Sequence, residues 1–524
     1  MRRIFLWAVT ASVVANIAFY FLWPIGLWSL AVLVPVAVLG VVDMTQKRQA
    51  IRRNFPVIGH FRYLLEEIRP EIQQYFIETN RDGMPFSRER RSVIYQRAKK
   101  ELDTVPFGTQ WDVYEPGYEW INHSIAPKPI LHDPPRVLVG GPQCKKPYSA
   151  SLYNISAMSY GSLSNAAIRA LNLGAKKGGF AHNTGEGGIS PYHIEYGGDL
   201  IWQLGTGYFS ARSADGGLDY DKFKDRSQHD SIKMIEIKLS QGAKPGHGGI
   251  LPARKVTKEI SEIRGVPVGQ DVLSPPYHKA FSTPTGLLET VARLRELSGG
   301  KPVGFKLCLG KRREFFAITK AMLKTGITPD FISVDGAEGG TGAAPLEFSN
   351  SIGTPLNDGL IFVHNALVGT GLRKRIKVIA AGKISTGFNI AQKIALGADM
   401  CSAARGMMFA LGCIQALRCN NNTCPTGVAT QDPELIKGLI VPDKADRVAS
   451  FHKATIHSFL EVLAACGLSH PDDLEPWHIQ RRVDVARVQH YGEIYDYLTD
   501  GILLGNDVPE SYRHAWQHSK ADVF

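Results

Sequence analysis

Cys413, Cys419 and Cys424 stand at offsets of six and five residues, in a run closed by Pro425, Gly427 and Gln431. Three thiols so spaced can converge on one centre, and the Asn, Pro and Gly around them make the tight turns that convergence requires. Three thiolates with no fourth close by suit an iron–sulfur cluster with one missing corner, [3Fe–4S], better than a four-cornered one. Zinc is the ordinary rival, but no His lies between His364 and His452 to complete a tetrahedral site. Seven cysteines is an odd number, and nothing else points to an oxidising compartment. The scattered Cys144, Cys308, Cys401 and Cys466 read as buried thiols.

Other runs concentrate small residues around isolated charges. Ser156–Ser162 contains Ala157, Met158 and Ser159, small enough overall to let backbone amides approach a flat ring. Asn183-Thr184-Gly185-Glu186-Gly187-Gly188 sets a carboxylate among glycines, which fits a backbone that must hug a ligand; an ordinary glycine-rich turn is the plain alternative. Lys238, Gln241 and Lys244 precede Gly246, Gly248 and Gly249, a candidate anion site, although solvated lysines are common. Lys306 stands among Phe305, Leu307 and Cys308 and must meet an anion or shift its pKa, unless it is a snorkelling surface lysine. Asp335 and Glu338 arm another glycine-rich loop. Gly382-Lys383-Ile384-Ser385-Thr386-Gly387 runs straight into a helix, and Arg405-Gly406 does the same; such junctions bind phosphate, or are mere helix caps.

These runs require strands to position them. Short apolar segments alternate with helical periods, the pattern of βα units. Eight candidate strands follow: 153–157, 179–183, 234–239, 271–274, 303–307, 331–335, 377–381 and 399–404. The expected fold is therefore α/β, a (β/α)8 barrel carrying its site at the carboxyl ends of the strands, with a doubly wound open sheet as the alternative. Stretches 184–233 and 336–356 read as insertions on that face. Two phosphate loops after the last strands, Lys306 on the fifth and a cluster nearby point to a flavin mononucleotide, FMN.

The chain has 524 residues, 44% hydrophobic and 21% charged, with 52 glycines and net charge +11. It divides into an expected two-helix membrane anchor (1–43), a basic flank (44–150), the barrel with its Fe–S loop (151–431) and a helical tail (432–524). The anchor rests on uncharged runs Ile4–Trp23 and Pro24–Val42, broken at Pro24 and Gly26, with a cleaved signal peptide as the other reading. Arg2 and Arg3 at one end, and Lys47, Arg48, Arg52 and Arg53 at the other, put both ends in the cytoplasm of an inner-membrane, two-pass protein. The basic stretch from Lys47 to Lys100 is assigned to anionic lipid rather than nucleic acid.

Residues from about 105 to 470 resemble the central and FMN-binding region of the glutamate synthase large subunit. The resemblance is carried by Ser156–Ser164, Asn183–Gly188, Lys238–Leu251, Ser274–Pro276, Asp335–Pro345 and Cys413–Gln431. It implies a (β/α)8 barrel with FMN at its mouth and a [3Fe–4S] cluster on Cys413, Cys419 and Cys424. It implies FMN contacts at Ala157, Met158, Ser159, Lys306, Gly382 and Arg405; Asn183, Lys383, Gly387 and Gly406 are further cofactor-binding candidates. The 2-oxo acid is expected near Glu186, Gln241 and Lys244, with Lys306 as the fourth catalytic candidate. The chain is expected to do without the family's N-terminal nucleophilic Cys and glutaminase domain, and it departs from the family in Ala381-Gly382-Lys383 for Asp-Gly-Gly and in His247 for the usual Glu.

The implied reaction is reductive amination of 2-oxoglutarate or a related 2-oxo acid, in glutamate biosynthesis, with free or partner-supplied ammonia. The electron partner is a ferredoxin, a reductase subunit or quinone. The alternatives are a membrane-tethered amino- or 2-hydroxy-acid dehydrogenase that reduces quinone, and a non-enzymatic scaffold.

Overall fold

Eight short strands pair in parallel and close on themselves: β1 (Tyr153–Ile155), β2 (His182–Asn183), β3 (Leu200–Leu204), β4 (Ile232–Lys238), β5 (Val303–Leu307), β6 (Phe331–Asp335), β7 (Lys377–Ala381) and β8 (Met400–Ala403). β8 returns to β1, with Cys401, Ser402 and Ala403 beside Tyr153, Asn154 and Ile155. Nearly every strand residue is buried, because helices cover the outer face and side chains fill the inner one. The computed structural model describes residues 1–22 and 28–524. It separates into two units, Met1–Glu89 and Arg90–Phe524.

The barrel interior changes character along its axis. At the amino-terminal end, Ala181, Ile201, Met234, Phe331, Ile379 and Met400 pack with Val139, Tyr148 and Ala150. The last three come from an antiparallel hairpin, Arg136–Val139 with Tyr148–Ser151, which plugs that end. Two residues further along the strands the interior turns polar. The Glu236 carboxylate accepts from Asn183 Nδ2 at 2.8 Å, Gln203 Nε2 at 2.7 Å and Ser333 Oγ at 2.6 Å. A charge this deep is tolerated because its lone pairs are matched by fixed donors.

Two strands differ from the sequence expectation. The predicted strand 271–274 is outside the barrel: only Val272–Leu273 is extended, antiparallel to Ile250–Leu251. The true third strand, Leu200–Leu204, lies within the stretch expected to be an insertion. Its five residues are all buried, so it carries no alternation to mark it as a strand. The count of eight survives because the two errors cancel.

Helix Val441–Ala465 runs along the barrel's outside and meets helix Gly387–Ala395 closely; a Cβ at Gly387 would stand 2.4 Å from Phe459 N. A three-stranded antiparallel sheet joins Glu119–Ile121, Ile479–Arg482 and Val488–His490.

The amino-terminal unit contains helices Arg2–Leu22, Leu30–Thr45, Ala50–Asn54 and Gly59–Ile72. Among the described residues no helix is long and apolar enough to cross a membrane. Leu30–Thr45 has 16 residues, contains Pro35 and ends near Asp43. At 1.5 Å per residue that is about 24 Å against the roughly 30 Å of a hydrocarbon core. Arg2–Leu22 carries two arginines at its start and the polar Thr10, Ser12 and Asn16 along its length. Asp43 is buried and bonded to His60 Nε2 at 2.8 Å and to Val57 N at 2.9 Å. The expected two-pass anchor, the inner-membrane localisation and the membrane partner are thereby corrected. The turn expected at Pro24 and Gly26 lies outside the described residues.

Candidate active site

The carboxyl ends of β2 and β4 bring four charged side chains together. Glu186 Oε2 accepts from Lys238 Nζ at 2.5 Å, and Lys238 also donates to Gln241 Oε1 at 3.2 Å. Lys244 is buried and donates to Gly248 O at 2.7 Å. Arg264, at the end of helix Lys258–Arg264, is buried and donates to Tyr160 O at 2.9 Å. Burial by itself would raise the Glu186 pKa. Lys238, by charge and hydrogen bond, with Lys244 and Arg264 behind it, outweighs burial and holds the carboxyl below its usual range. Burial pushes Lys244 down to about 8, against the pull of Glu186 and with the push of Lys238. The carboxylate's seat needs glycines on both sides. A Cβ at Gly249 would stand 2.9 Å from Glu186 Oε2, and one at Gly205 would stand 2.8 Å from Glu186 Cβ.

Lys306, on β5, is buried and pairs with Asp335 Oδ2 at 3.1 Å. Burial disfavours its charge, but Asp335 and Glu236 overcome that and raise its pKa. Asp335 Oδ2 also accepts from Gly242 N at 2.9 Å, tying the loop after β4 to the end of β6. Ser156, Asn183, Glu236, Lys306, Ser333 and Ser402 line a small cavity inside the barrel mouth. Asn183 is engaged there with Glu236, and its Oδ1 accepts from Gly185 N at 3.0 Å. Met158 and Ser159 lie against Gly185, where a Cβ would be 2.9 Å from Ser159 N.

The loops after β7 and β8 gather cations. Burial lowers the Lys383 pKa, and Arg405 and Arg90 lower it further. Lys383 has φ 51°, a strained left-handed conformation for a residue with a side chain. Arg405 donates to the Glu338 carbonyl. Glu338 itself turns its carboxylate to Leu356 N, at 3.0 and 3.1 Å. The Ser385 hydroxyl is buried and has no hydrogen-bond partner among the described residues. Lys383 and a spare Ser385 hydroxyl after β7, Arg405 at the helix start after β8, and Arg90 from helix Arg88–Lys99 fit a phosphate. Gly382 lies against Leu356, Gly387 against Phe459 N, and Gly406 near Tyr153 OH. Arg90 is absent from the sequence expectation because it sits in the basic run that was assigned to lipid.

All seven cysteines are free. Cys413, Cys419 and Cys424 are close enough that Cys419 and Cys424 raise the Cys413 pKa and Cys424 raises that of Cys419, both after the larger effect of burial. Cys424 is different. Its pKa is lowered despite burial, because the Thr426 hydroxyl and the backbone N–H groups of Thr426, Val428 and Ala429 converge on its sulfur. Gln415, Leu417 and Asn422 all have positive φ, so the chain between the thiols is wound into tight turns. As they stand, no three His, Cys, Asp or Glu side chains among the described residues form a group that could hold a metal ion. The fit to a cluster is in the donor set: three free thiols on one loop, one of them with its pKa lowered by the Thr426 hydroxyl and backbone N–H groups around it.

Residues 142–469 match the conserved region in glutamate synthase. The chain is 38% identical over 483 residues to the glutamate synthase large subunit-like protein YerD of Bacillus subtilis, covering 84% of this chain and 91% of that one. It is 37% identical over 322 residues to the archaeal glutamate synthase [NADPH] of Methanocaldococcus jannaschii, covering 61% of this chain and 60% of the relative. The archaeal-type glutamate synthase [NADPH] of Thermotoga neapolitana is 36% identical over 316 residues, with 60% and 59% covered. The chain thus spans about nine tenths of YerD and about three fifths of the other two.

Proposed function

The chain belongs to the glutamate synthase family, and from that premise we propose that it reductively aminates 2-oxoglutarate, or a closely related 2-oxo acid, with free or partner-supplied ammonia. It is an oxidoreductase of the class acting on CH–NH2 donors. The family implies FMN and an iron–sulfur cluster, a small-molecule substrate and a redox partner. We assign the cluster to Cys413, Cys419 and Cys424 as [3Fe–4S]. The FMN phosphate is assigned to Lys383, Arg405, Ser385 and Arg90, and the flavin side of the mouth to Ala157, Met158, Ser159 and Lys306. FMN bound there would supply hydride to the imine carbon.

The observation that carries the reading is the charge set around Glu186. Lys238, Lys244 and Arg264 against one carboxylate leave a local charge of about +2 in a buried pocket, which complements a dicarboxylate. Arg264 and Lys244 hold the two carboxylates. Glu186, ionised and bonded to Lys238, is placed to hold a proton at the substrate nitrogen, and Lys238 is placed to return it. Glycine backbone at 246–249 lets the substrate approach these side chains closely.

The test is anaerobic. The flavin, reduced chemically, should re-oxidise on addition of 2-oxoglutarate with ammonium and yield glutamate in equal amount; re-oxidation by neither this nor any other 2-oxo acid with ammonium would refute the reading. The quinone-linked alternative was favoured by a membrane anchor, and no described helix is fit to provide one.

A further inference from the structure

The loop after β1 and the cysteine loop are stitched together at three places. Ser164 N donates to Val428 O at 2.9 Å. Gln431 Nε2 donates to Gly161 O at 3.2 Å and to Leu163 O at 2.9 Å. The third tie is Lys255, whose Nζ donates to Ser162 O at 3.1 Å and to Ala429 O at 2.9 Å. The first two need no charge. Lys255 brings one, and it is 3% exposed with no carboxylate partner among the described residues. Burying an ammonium on two neutral carbonyls is costly unless an anion lies within reach. Burial pushes its pKa down to about 8; the groups whose charge favours the ammonium are Cys419 and Cys424, while Arg254 opposes it. A Gln would make the same two bonds without that cost, so the charge itself needs a reason.

We propose that Lys255 is a positioning residue for the metal centre on Cys413, Cys419 and Cys424: its ammonium, fixed on the carbonyls of Ser162 and Ala429, stabilises the more negative, reduced state of that centre and raises its potential. This rests on the reading of those cysteines as iron–sulfur ligands. Net charge and hydrogen bonding around the sulfurs are the ordinary means by which a protein sets cluster potentials. The same ammonium touches the loop assigned to the flavin, so it holds the spacing between the two redox groups while biasing one of them. The bare thiolates gain from it too, which favours assembly of the cluster.

The experiment is a redox titration of the whole protein, with the cluster followed by electron paramagnetic resonance and iron and acid-labile sulfide measured alongside. Lys255→Gln keeps donors for the carbonyls and removes the charge, Lys255→Arg keeps the charge, and Gln431→Ala removes a neutral tie. In Lys255→Gln the ratio of reduced to oxidised cluster at fixed poise should fall about tenfold, which is about 59 mV for one electron. Lys255→Arg and Gln431→Ala should stay near the parent, and the flavin potential should not move in any of them. An unchanged cluster potential in Lys255→Gln overturns the inference, as does an equal shift in Gln431→Ala, since the effect would then be loop distortion. Loss of iron from both the Gln and Arg variants would make Lys255 purely structural and overturn it too. A parent protein without acid-labile sulfide overturns the cluster assignment first and this inference with it.

Discussion

Two cationic regions share the barrel mouth and are built on opposite plans. Around Glu186 the cations surround an acid: Lys238 is bonded to it, and Lys244 and Arg264 act on it from further off. Around Lys383 the Glu338 carboxylate accepts from Leu356 N while its carbonyl accepts from Arg405, and the Ser385 hydroxyl is buried with no hydrogen-bond partner among the described residues. The second plan suits an anion that binds and stays, because a buried hydroxyl and the start of a helix are fixed there and Glu338 keeps its carboxylate on Leu356 N. The first suits an anion that must come, change its protonation and leave, because Glu186 and Lys238 can exchange partners with it. On the proposed reading one is a grip and the other a working site, and substitutions should separate them.

The largest separation is expected from Glu186→Gln. Losing a positioned proton-transfer group costs about 10²–10⁴-fold in rate. Turnover of 2-oxoglutarate with ammonium should fall by that much, while FMN content and the visible spectrum stay at parent values. Loss of FMN in this variant would merge the two regions and remove the basis of the contrast.

Lys306 lies between them and tests the boundary. Because Asp335 and Glu236 face it, Lys306→Met removes a cation and also leaves two buried acids uncompensated. The flavin potential should drop, and flavin reduction should slow by roughly 10²–10³-fold, the usual cost of one such electrostatic group. Asp335→Asn should move the potential the other way. Potentiometric titration of both variants checks the pair; shifts of the same sign would show that the flavin senses loop movement and not charge.

How much of this was legible beforehand depended on whether a residue's role was set locally. The glycine-rich loops, Lys306 inside an apolar strand and the three cysteines carry their signal within about a dozen residues; the glycine-rich runs follow barrel strands, Lys306 is on β5, and the cysteine run follows helix Arg405–Leu411. Leu200–Leu204 was missed because a strand buried on both faces has no period to read, and 271–274 was misplaced because a two-residue hairpin strand looks the same as a barrel strand at that length. Arg264 and Arg90 were missed for a different reason. Each is a basic residue in or beside a helix, indistinguishable in sequence from a solvated one. Only the topology delivers Arg264 to Glu186 and Arg90 to Lys383. In the amino-terminal runs, hydropathy could not show that the second helix would start at Leu30 and measure only 16 residues.

A smaller effect is expected at the grip. Arg405→Gln removes a buried, hydrogen-bonded charge, a change that costs ~2 kcal/mol or more when its partner is an anion. FMN should bind about thirtyfold more weakly, at 1.36 kcal/mol per tenfold, as read by fluorescence during flavin release. With saturating FMN, KM for the oxo acid should be unchanged, which keeps the effect on its own side of the mouth.

The subtlest test is of the working site's pH response. Lys244 is pushed by burial to about 8, below an ordinary lysine, so its charge is present below that pH and lost above it. As the pH rises through 8 the pocket falls from about +2 to about +1, and a dianionic oxo acid loses one of its partners. From pH 8 to pH 9 the protonated fraction drops from about one half to about one tenth, so KM should rise about fivefold. In the proposed reaction the chemical step uses Glu186 and Lys238, so kcat should follow a different curve. Lys244→Arg carries a charge that does not titrate in this range, and it should flatten KM between pH 7 and 9 while leaving the kcat profile in place. A KM that still rises in the arginine variant would assign the titration to another group and leave Lys244 as a tie to Gly248 alone.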